Sequence, residues 1–484
     1  MTMTPIRFGT DEQFTALRRL LCDAGYNDAS LCSQARVPTI YEVLESTTRR
    51  KHKPPLDHTV DALMWVLLEG RALSMRSWGH LVPGELTSLL AAVGLLVEQA
   101  DEYICPLALY PVENLYVVSD RDSTIVDSVY PALVENTGRF LDVIPRSRCG
   151  SFLEVCAGTG IAALLAARDF AARSYAFDIA ERSVNFATFN CRLNGLPNMT
   201  NEAGDLYGPA GLQTFDRIVA HPPYVPVLKP KAIFHDGGDD GEQIVKRTVE
   251  GLPAYLAPGG EFVMLAMGSD RKDAPYEHRV RQWLGAAQAE FDIALVTRRI
   301  IDPADFVARS VMQGKSDSSE IDQWNKVFSS RGVTALVYGT ILIRRKSANR
   351  TAFTVRRQNS DRTHRAEMEW LLDWEGQVAS GTATTELLDG ALTASPDVEL
   401  RVVNRLQDGD WAATGYQLLS EYPFGMELQP QPWMIQLLTK CDGKKTGREL
   451  WQQLIAEEVI FAGTPLDQFA NALVVLLSGG FLHL

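Results

Sequence analysis

The stretch VAHPPYVP (Val219–Pro226) ends an apolar run, TFDRIVA, on a histidine, two prolines and a tyrosine. Neither proline can donate to a strand ladder and the first restricts the residue before it, so the spacing predicts a strand that stops at His221. A neutral imidazole there offers one acceptor and one donor nitrogen. It could orient an N–H or O–H group, or take a proton near working pH. The local alternative is a histidine that only caps the strand end. Upstream, EVCAGTGIAALLAA (Glu154–Ala167) places Gly158 and Gly160 in a turn between an apolar run and an alanine-rich helix. Glycine permits a tight turn and close approach of a ligand, and the helix N-terminus adds unpaired N–H groups. Asp178, twenty residues beyond Gly158 in YAFDIAERSV, stands where a carboxylate accepts both hydroxyls of a ribose, or where it caps a helix. Asp205 in EAGDLYG could accept from an adenine amine or be a plain loop acid.

The elements that must hold these residues read as an α/β pattern. FLEVC, YAFDI, a strand region before Asp205, DRIVA and EFVMLAM alternate with helical stretches, and FDIALVTRRII and ALVYGTILIRR follow. Buried strands separated by helices predict a doubly wound sheet, with all four candidate pieces on its carboxyl edge. A helix is expected over YPALVENTGRFLDVI before the first strand. The segment 1–119 is helix-rich, with FTALRRLLCDAGY, ALMWVLLEGRAL and ELTSLLAAVGLLVEQ at helical spacing and short strands in EYICPLALYPVENLYVVSD. A winged helix and a helical cap on the next domain both fit it. The arginine-dense RRKSANRTAFTVRRQNSDRTHR predicts a solvated strand end and linker, with a nucleic-acid contact as the lesser reading. The tail predicts three short helices and a terminal strand, a small winged-helix-like module, with Thr446 capping the helix that starts at Gly447.

A chain of 484 residues is too long for one core and suggests two to four domains. We divide it as 1–119, 120–346 and 347–484. The net charge of −13 opposes non-specific coating of nucleic acid. No apolar run reaches the roughly 18 residues that cross a bilayer, and MTMTPIRFGTDEQF has no apolar signal core, so a cytoplasmic protein without membrane contact is expected. Seven scattered cysteines, none spaced as CxxC, fit reduced thiols better than disulfides or zinc. Asp236, Asp239 and Asp240 lack a suitably spaced histidine partner, so no metal is expected, and His235 reads as a loop histidine.

The order and spacing of these motifs resemble class I S-adenosylmethionine-dependent methyltransferases whose fourth strand ends in Asn/Asp-Pro-Pro-Tyr/Phe. The resemblance is greatest to the glutamine N5-methyltransferases of release factors. It is carried by DIAERSVNFATFNCRLNGL, DLY, FDRIVAHPPYVP, GGDDGEQIVKR (Gly237–Arg247) and LAPGGEFVML, over roughly Asp120–Lys346. It implies a Rossmann-like sheet of seven strands closed by an antiparallel pair, and S-adenosyl-L-methionine as cofactor. Gly158 and Gly160 would cradle the methionine part and Glu154 would assist its amine. Asp178 would hold the ribose, and Asp205 with Leu206 the adenine. Pro222 and Pro223 would aim a backbone carbonyl at the acceptor, and Tyr224 would stack on it. This chain departs from the pattern at Cys156 and Ala157, and above all at His221, where the family has Asn or Asp. The departure loosens any transfer of amide or adenine specificity and leaves methyl transfer in place.

The sequence thus points to methyl transfer onto an N or O acceptor of a small molecule or peptide. A protein glutamine or an RNA base is the alternative acceptor, and nucleic acid is not favoured. A ligand-sensing regulator that binds peptide or DNA through its ends is the competing class. A nicotinamide dehydrogenase would want a third glycine, which GTGIAA lacks. The sequence carries no signal for an oligomeric state.

Overall fold

Five apolar runs in the first part of the chain are each bounded by turn residues, and each forms a parallel strand. The computed structural model describes residues 6–48, 55–121, 127–130, 133–229 and 234–484. The chain folds as two units, Met1–Gly268 and Ser269–Leu484.

In the first unit, α1 (Glu135–Asp142) precedes β1 (Cys149–Val155), α2 (Ile161–Asp169), β2 (Ala171–Asp178), α3 (Glu181–Asn194), β3 (Met199–Ala203), β4 (Phe215–Ala220), α4 (Gln243–Tyr255) and β5 (Leu256–Arg271). The strands run in the order β5-β4-β1-β2-β3, every pair parallel. The register sets Val155 level with both Phe177 and Ala220. Cys156, Asp178 and His221, each the next residue, therefore emerge side by side at the edge where the strand order reverses. α2 is buried from Ile161 through Ala167. Its small residues allow close packing, and full burial of each leucine or isoleucine stabilises by roughly 1.5–3 kcal/mol. Gly195, at φ +64°, ends α3 in the left-handed conformation.

Residues ahead of this sheet form helices over Asp11–Asp23, Asp28–Ala35, Ile40–Thr48, Met75–Leu81 and Gly84–Ala92, and ALMWVLLEGRAL becomes a short helix running into a π turn at Met64–Leu68. Leu73–Ser74, Glu102–Ile104 and Val97–Gln99 make a small antiparallel sheet. The hairpin Ala108–Val112/Leu115–Ser119 lies against α3. Asn190 and Asn194, one turn apart on α3, bond the backbone of Val118 and Tyr116 as a neighbouring strand would. Asn190 also donates to the Thr159 carbonyl at 3.1 Å, which ties the glycine turn to the N-terminal part.

In the second unit, β6 (Phe291–Ile301) pairs antiparallel with β7 (Val333–Arg345) and parallel with β8 (Thr354–Gln358). The expectation of seven strands is therefore one short: five in the first unit and three in the second make eight. The added strand, β8, occupies the stretch expected as a linker. Its arginines read as solvent charge because their partners are distant in sequence. Arg356 pairs with Asp270 and Glu277, Arg357 with Glu375, Arg350 with Asp292, Arg344 with Asp373, Arg345 with Glu290 and Arg362 with Asp397. Each of these arginines is engaged by a carboxylate of its own unit.

The tail has helices Pro432–Leu438, Gly447–Ala456 and Leu466–Ser478 and a terminal strand Leu482–His483, as read from the sequence. Thr446 accepts from the Glu449 N–H while the Glu449 carboxylate accepts from Thr446, a reciprocal cap. Two features were not expected: strand Asp442–Thr446, and the hairpin Glu399–Gln407/Asp410–Ser420, whose first strand is exposed throughout. The helix expected over YPALVENTGRFLDVI is shorter, starting at Glu135; Pro131 and Ala132 lie outside the described residues.

Candidate active site

The carboxyl ends of β1, β2 and β4, the turn after β3 and the first turns of α1 and α4 surround one cavity of about 520 Å³. That is the size of a small-molecule or cofactor site. Glu154, Gly158, Asp178, Asp205, Leu206, His221, Pro222, Pro223 and Tyr224 all line it. Gly160 does not; it sits behind the lining at φ +74°, where a Cβ would come within 3.0 Å of Met199 Cε and 3.1 Å of Ala187 Cβ. Only glycine starts α2 so close to α3.

Glu154 is buried under α2 and accepts from the Ala163 N–H at 2.8 Å, in the first turn of that helix. Burial pushes its pKa up to about 8 against that hydrogen bond. Asp178 accepts from Gly158 N at 2.8 Å and from Ala180 N at 2.9 Å, so one side chain ties the glycine turn to the start of α3. Its pKa is raised by burial, the backbone donors opposing. Asp205 pairs with Arg247 of α4 at 2.5 Å across the cavity mouth. Ile179, next to Asp178, is 59% exposed and lines the same mouth, an apolar side chain with no place in the core. Cys156 and Leu206 hold positive φ of 57° and 51° without being glycine. Such strain collects where a ligand site over-determines the backbone.

At the other end, His221 opens onto the cavity on one edge while protein packed round the ring lowers its pKa to about 4. It is neutral near pH 7. Phe140 of α1 stacks on it with centroids 5.1 Å apart, and it stacks on Tyr224 at 5.8 Å. Asn136 of α1 lies within hydrogen-bond distance of both His221 and Tyr224. The Pro-Pro-Tyr turn is held from behind by the Gly237–Gly241 loop: Gly237 N donates to the Val225 carbonyl and Val227 N to Gly238. Gly241, at φ +77°, lies so close that a Cβ would come 2.5 Å from the Tyr224 oxygen. Asp236 and Asp240 accept from the backbone N–H groups of Gly238 and Glu242. His235 also lines the cavity, contrary to a plain loop position.

A known domain model coincides with this site. Residues 134–290 form a methyltransferase small domain. Over 164 residues the chain is 30% identical to the ribosomal protein uL3 glutamine methyltransferase of Bradyrhizobium diazoefficiens, covering 31% of this chain and 51% of that protein. The corresponding enzyme of Bordetella pertussis is 31% identical over 160 residues, 30% of this chain and 53% of that one. A release factor glutamine methyltransferase of Thermodesulfovibrio yellowstonii is 26% identical over 181 residues, 35% and 61%. The chain thus spans half to three fifths of the length of these relatives, and the likeness covers about a third of the chain itself.

Within the methyltransferase domain, sequence reasoning had missed Asn136, Phe140, Ile179 and Arg247. Ile179 had a local signal, an apolar residue directly after the acid that ends a strand. The others reach the cavity only through tertiary packing.

Proposed function

We propose that this chain transfers a methyl group from S-adenosyl-L-methionine to an N or O acceptor held beside His221 and Tyr224. The observation that carries the reading is the meeting, in one cavity, of a buried carboxyl at a helix N-terminus, a second carboxylate tied to the glycine turn and a His-Pro-Pro-Tyr strand end. The residues present suit the cofactor. A carboxyl buried at Glu154 gains most from a cationic group, such as an amine, brought beside it. Gly158 and Gly160 shape the turn that would face the methionine part. Asp178 retains acceptor capacity for two ribose hydroxyls, and Asp205, Leu206 and Ile179 would enclose the adenine, with Arg247 beside it.

The cofactor supplies a methyl group already activated on a sulfonium, so the chain's task is to place the acceptor in line and exclude water. Pro222 and Pro223 fix the backbone after β4, so that a carbonyl can face the acceptor. Tyr224 and the imidazole of His221 present ring faces to a planar group. The relatives named for glutamine methylation support a peptide or protein acceptor. His221, in place of their family's Asn or Asp, separates the acceptor end of this chain from theirs. The parts 1–119 and 347–484, winged-helix-like in our reading, would shape access to the cavity, and the expected setting is cytoplasmic. No helix among the described residues is long and apolar enough to cross a membrane.

Calorimetric titration with S-adenosylmethionine and S-adenosylhomocysteine tests the proposal, with Asp178→Ala as control. Binding that the substitution abolishes is expected. A folded protein that binds neither ligand would end the methyltransferase reading.

A further inference from the structure

The acceptor end of the cavity is organised round a residue that lies outside the strand-end motif. Asn136, in the first turn of α1, is 85 residues away from His221 in sequence, yet its Nδ2 lies 3.0 Å from His221 Nε2. The same nitrogen donates to the Tyr224 hydroxyl at 2.7 Å. One helical turn on, Phe140 covers a face of the imidazole, so α1 fixes both the edge and the plane of the ring. An amide nitrogen carries hydrogens and no acceptor lone pair, so the ring nitrogen facing it must itself be an acceptor. The neutral imidazole then carries its one hydrogen on Nδ1.

We propose that Asn136 is the positioning residue of the acceptor end: it holds His221 in the Nδ1-protonated neutral tautomer, with the Nε2 lone pair engaged, and keeps Tyr224 aligned with the ring. The inference rests on the methyltransferase reading for what the acceptor end does. In this arrangement His221 orients rather than takes a proton, because the lone pair a base would use is bonded to Asn136. The burial that keeps the ring neutral near pH 7 acts in the same direction.

The test is nitrogen NMR of the full-length chain labelled with ¹⁵N-histidine, His221 being assigned by the signal lost in His221→Gln. The wild-type ring should show Nε2 bare and Nδ1 protonated. Asn136→Asp keeps the size of the side chain and reverses the hydrogen bond, since a carboxylate only accepts. Nε2 should then carry the proton, as the other tautomer or as imidazolium. A side chain that merely fills space would move neither signal. Nε2 protonated in the wild type, or a tautomer unchanged in Asn136→Asp, would overturn the proposal. If the variant does not fold, the wild-type spectrum alone decides. Should the wild-type tautomer be as expected while the same sample fails to bind S-adenosylhomocysteine, the methyltransferase reading falls and the role of Asn136 in setting the ring stands.

Discussion

Glu154→Gln should make the first unit more stable and its cofactor binding weaker, and the size of the first effect follows from the site. The carboxyl is 3% exposed and keeps its proton up to about pH 8, whereas its ordinary value is 4.5. Between those two pH values the folded state holds a proton that the unfolded chain has released, so stability falls as pH rises through the window. Below pH 4.5 both states are protonated and the group contributes no slope. At pH 7, which is 2.5 units above the ordinary value, the loss is about 3.4 kcal/mol at 1.36 kcal/mol per unit. Glutamine retains an oxygen for the Ala163 N–H and does not titrate. Hydrogen exchange of the α2 amides, read by mass spectrometry, reports opening of the layer that covers Glu154. The variant should gain about 3 kcal/mol of protection at pH 7 relative to its difference at pH 4.5. Calorimetry should find weaker binding of S-adenosylmethionine, because the carboxylate that meets the amine is gone. A difference between the proteins that is the same at both pH values would refute the burial argument. Unchanged affinity would remove Glu154 from the cofactor site.

His221 should act with the opposite sign. Burial lowers its pKa from 6.5 to about 4, so the unfolded chain holds the extra proton in that window and stability falls as pH drops through it. His221→Gln should flatten that acid-side loss in exchange of the β4 amides. Gly241→Ala forces a left-handed φ on alanine and a Cβ 2.5 Å from the Tyr224 oxygen. It should displace the Pro-Pro-Tyr turn and abolish methyl transfer while calorimetric binding of S-adenosylhomocysteine persists. Arg357→Ala leaves Glu375, a buried carboxylate, without its partner. Loss of about 3 kcal/mol from the second unit is expected, read as earlier denaturant unfolding of that unit's tryptophans.

The two halves of the cavity differ in how much of them a sequence can disclose, and the reason is physical. The cofactor half is assembled from successive strand-to-helix turns. Glu154, Gly158, Asp178 and Asp205 each sit at a fixed offset from an apolar run, and the parallel register then sets them side by side without further information. Local chemistry and strand order suffice there. Elsewhere local chemistry misleads. The arginines around β8 look like a solvated linker because Asp270, Glu277 and Asp292, which neutralise Arg356 and Arg350, occur well before them in the chain. The hairpin Glu399–Ser420 went unseen because, with its first strand exposed on both faces, no alternation of burial marks it.

The acceptor half depends on crossings of the second kind. Its histidine and tyrosine are legible, but what they can do is decided by α1, which brings Asn136 and Phe140 to the ring from 85 and 81 residues away, and by a glycine loop that grips Tyr224 from behind. Read alone, His221 is equally a base, an orienting group or a cap. With one edge bonded to an amide and both faces stacked on aromatic rings, its proton-accepting lone pair is committed before any acceptor arrives. An acceptor whose proton must leave before attack would then need a base other than His221, whereas one whose proton leaves after transfer needs only to be held in line. That distinction separates acceptor classes, and it is set by a contact that no strand-end motif contains.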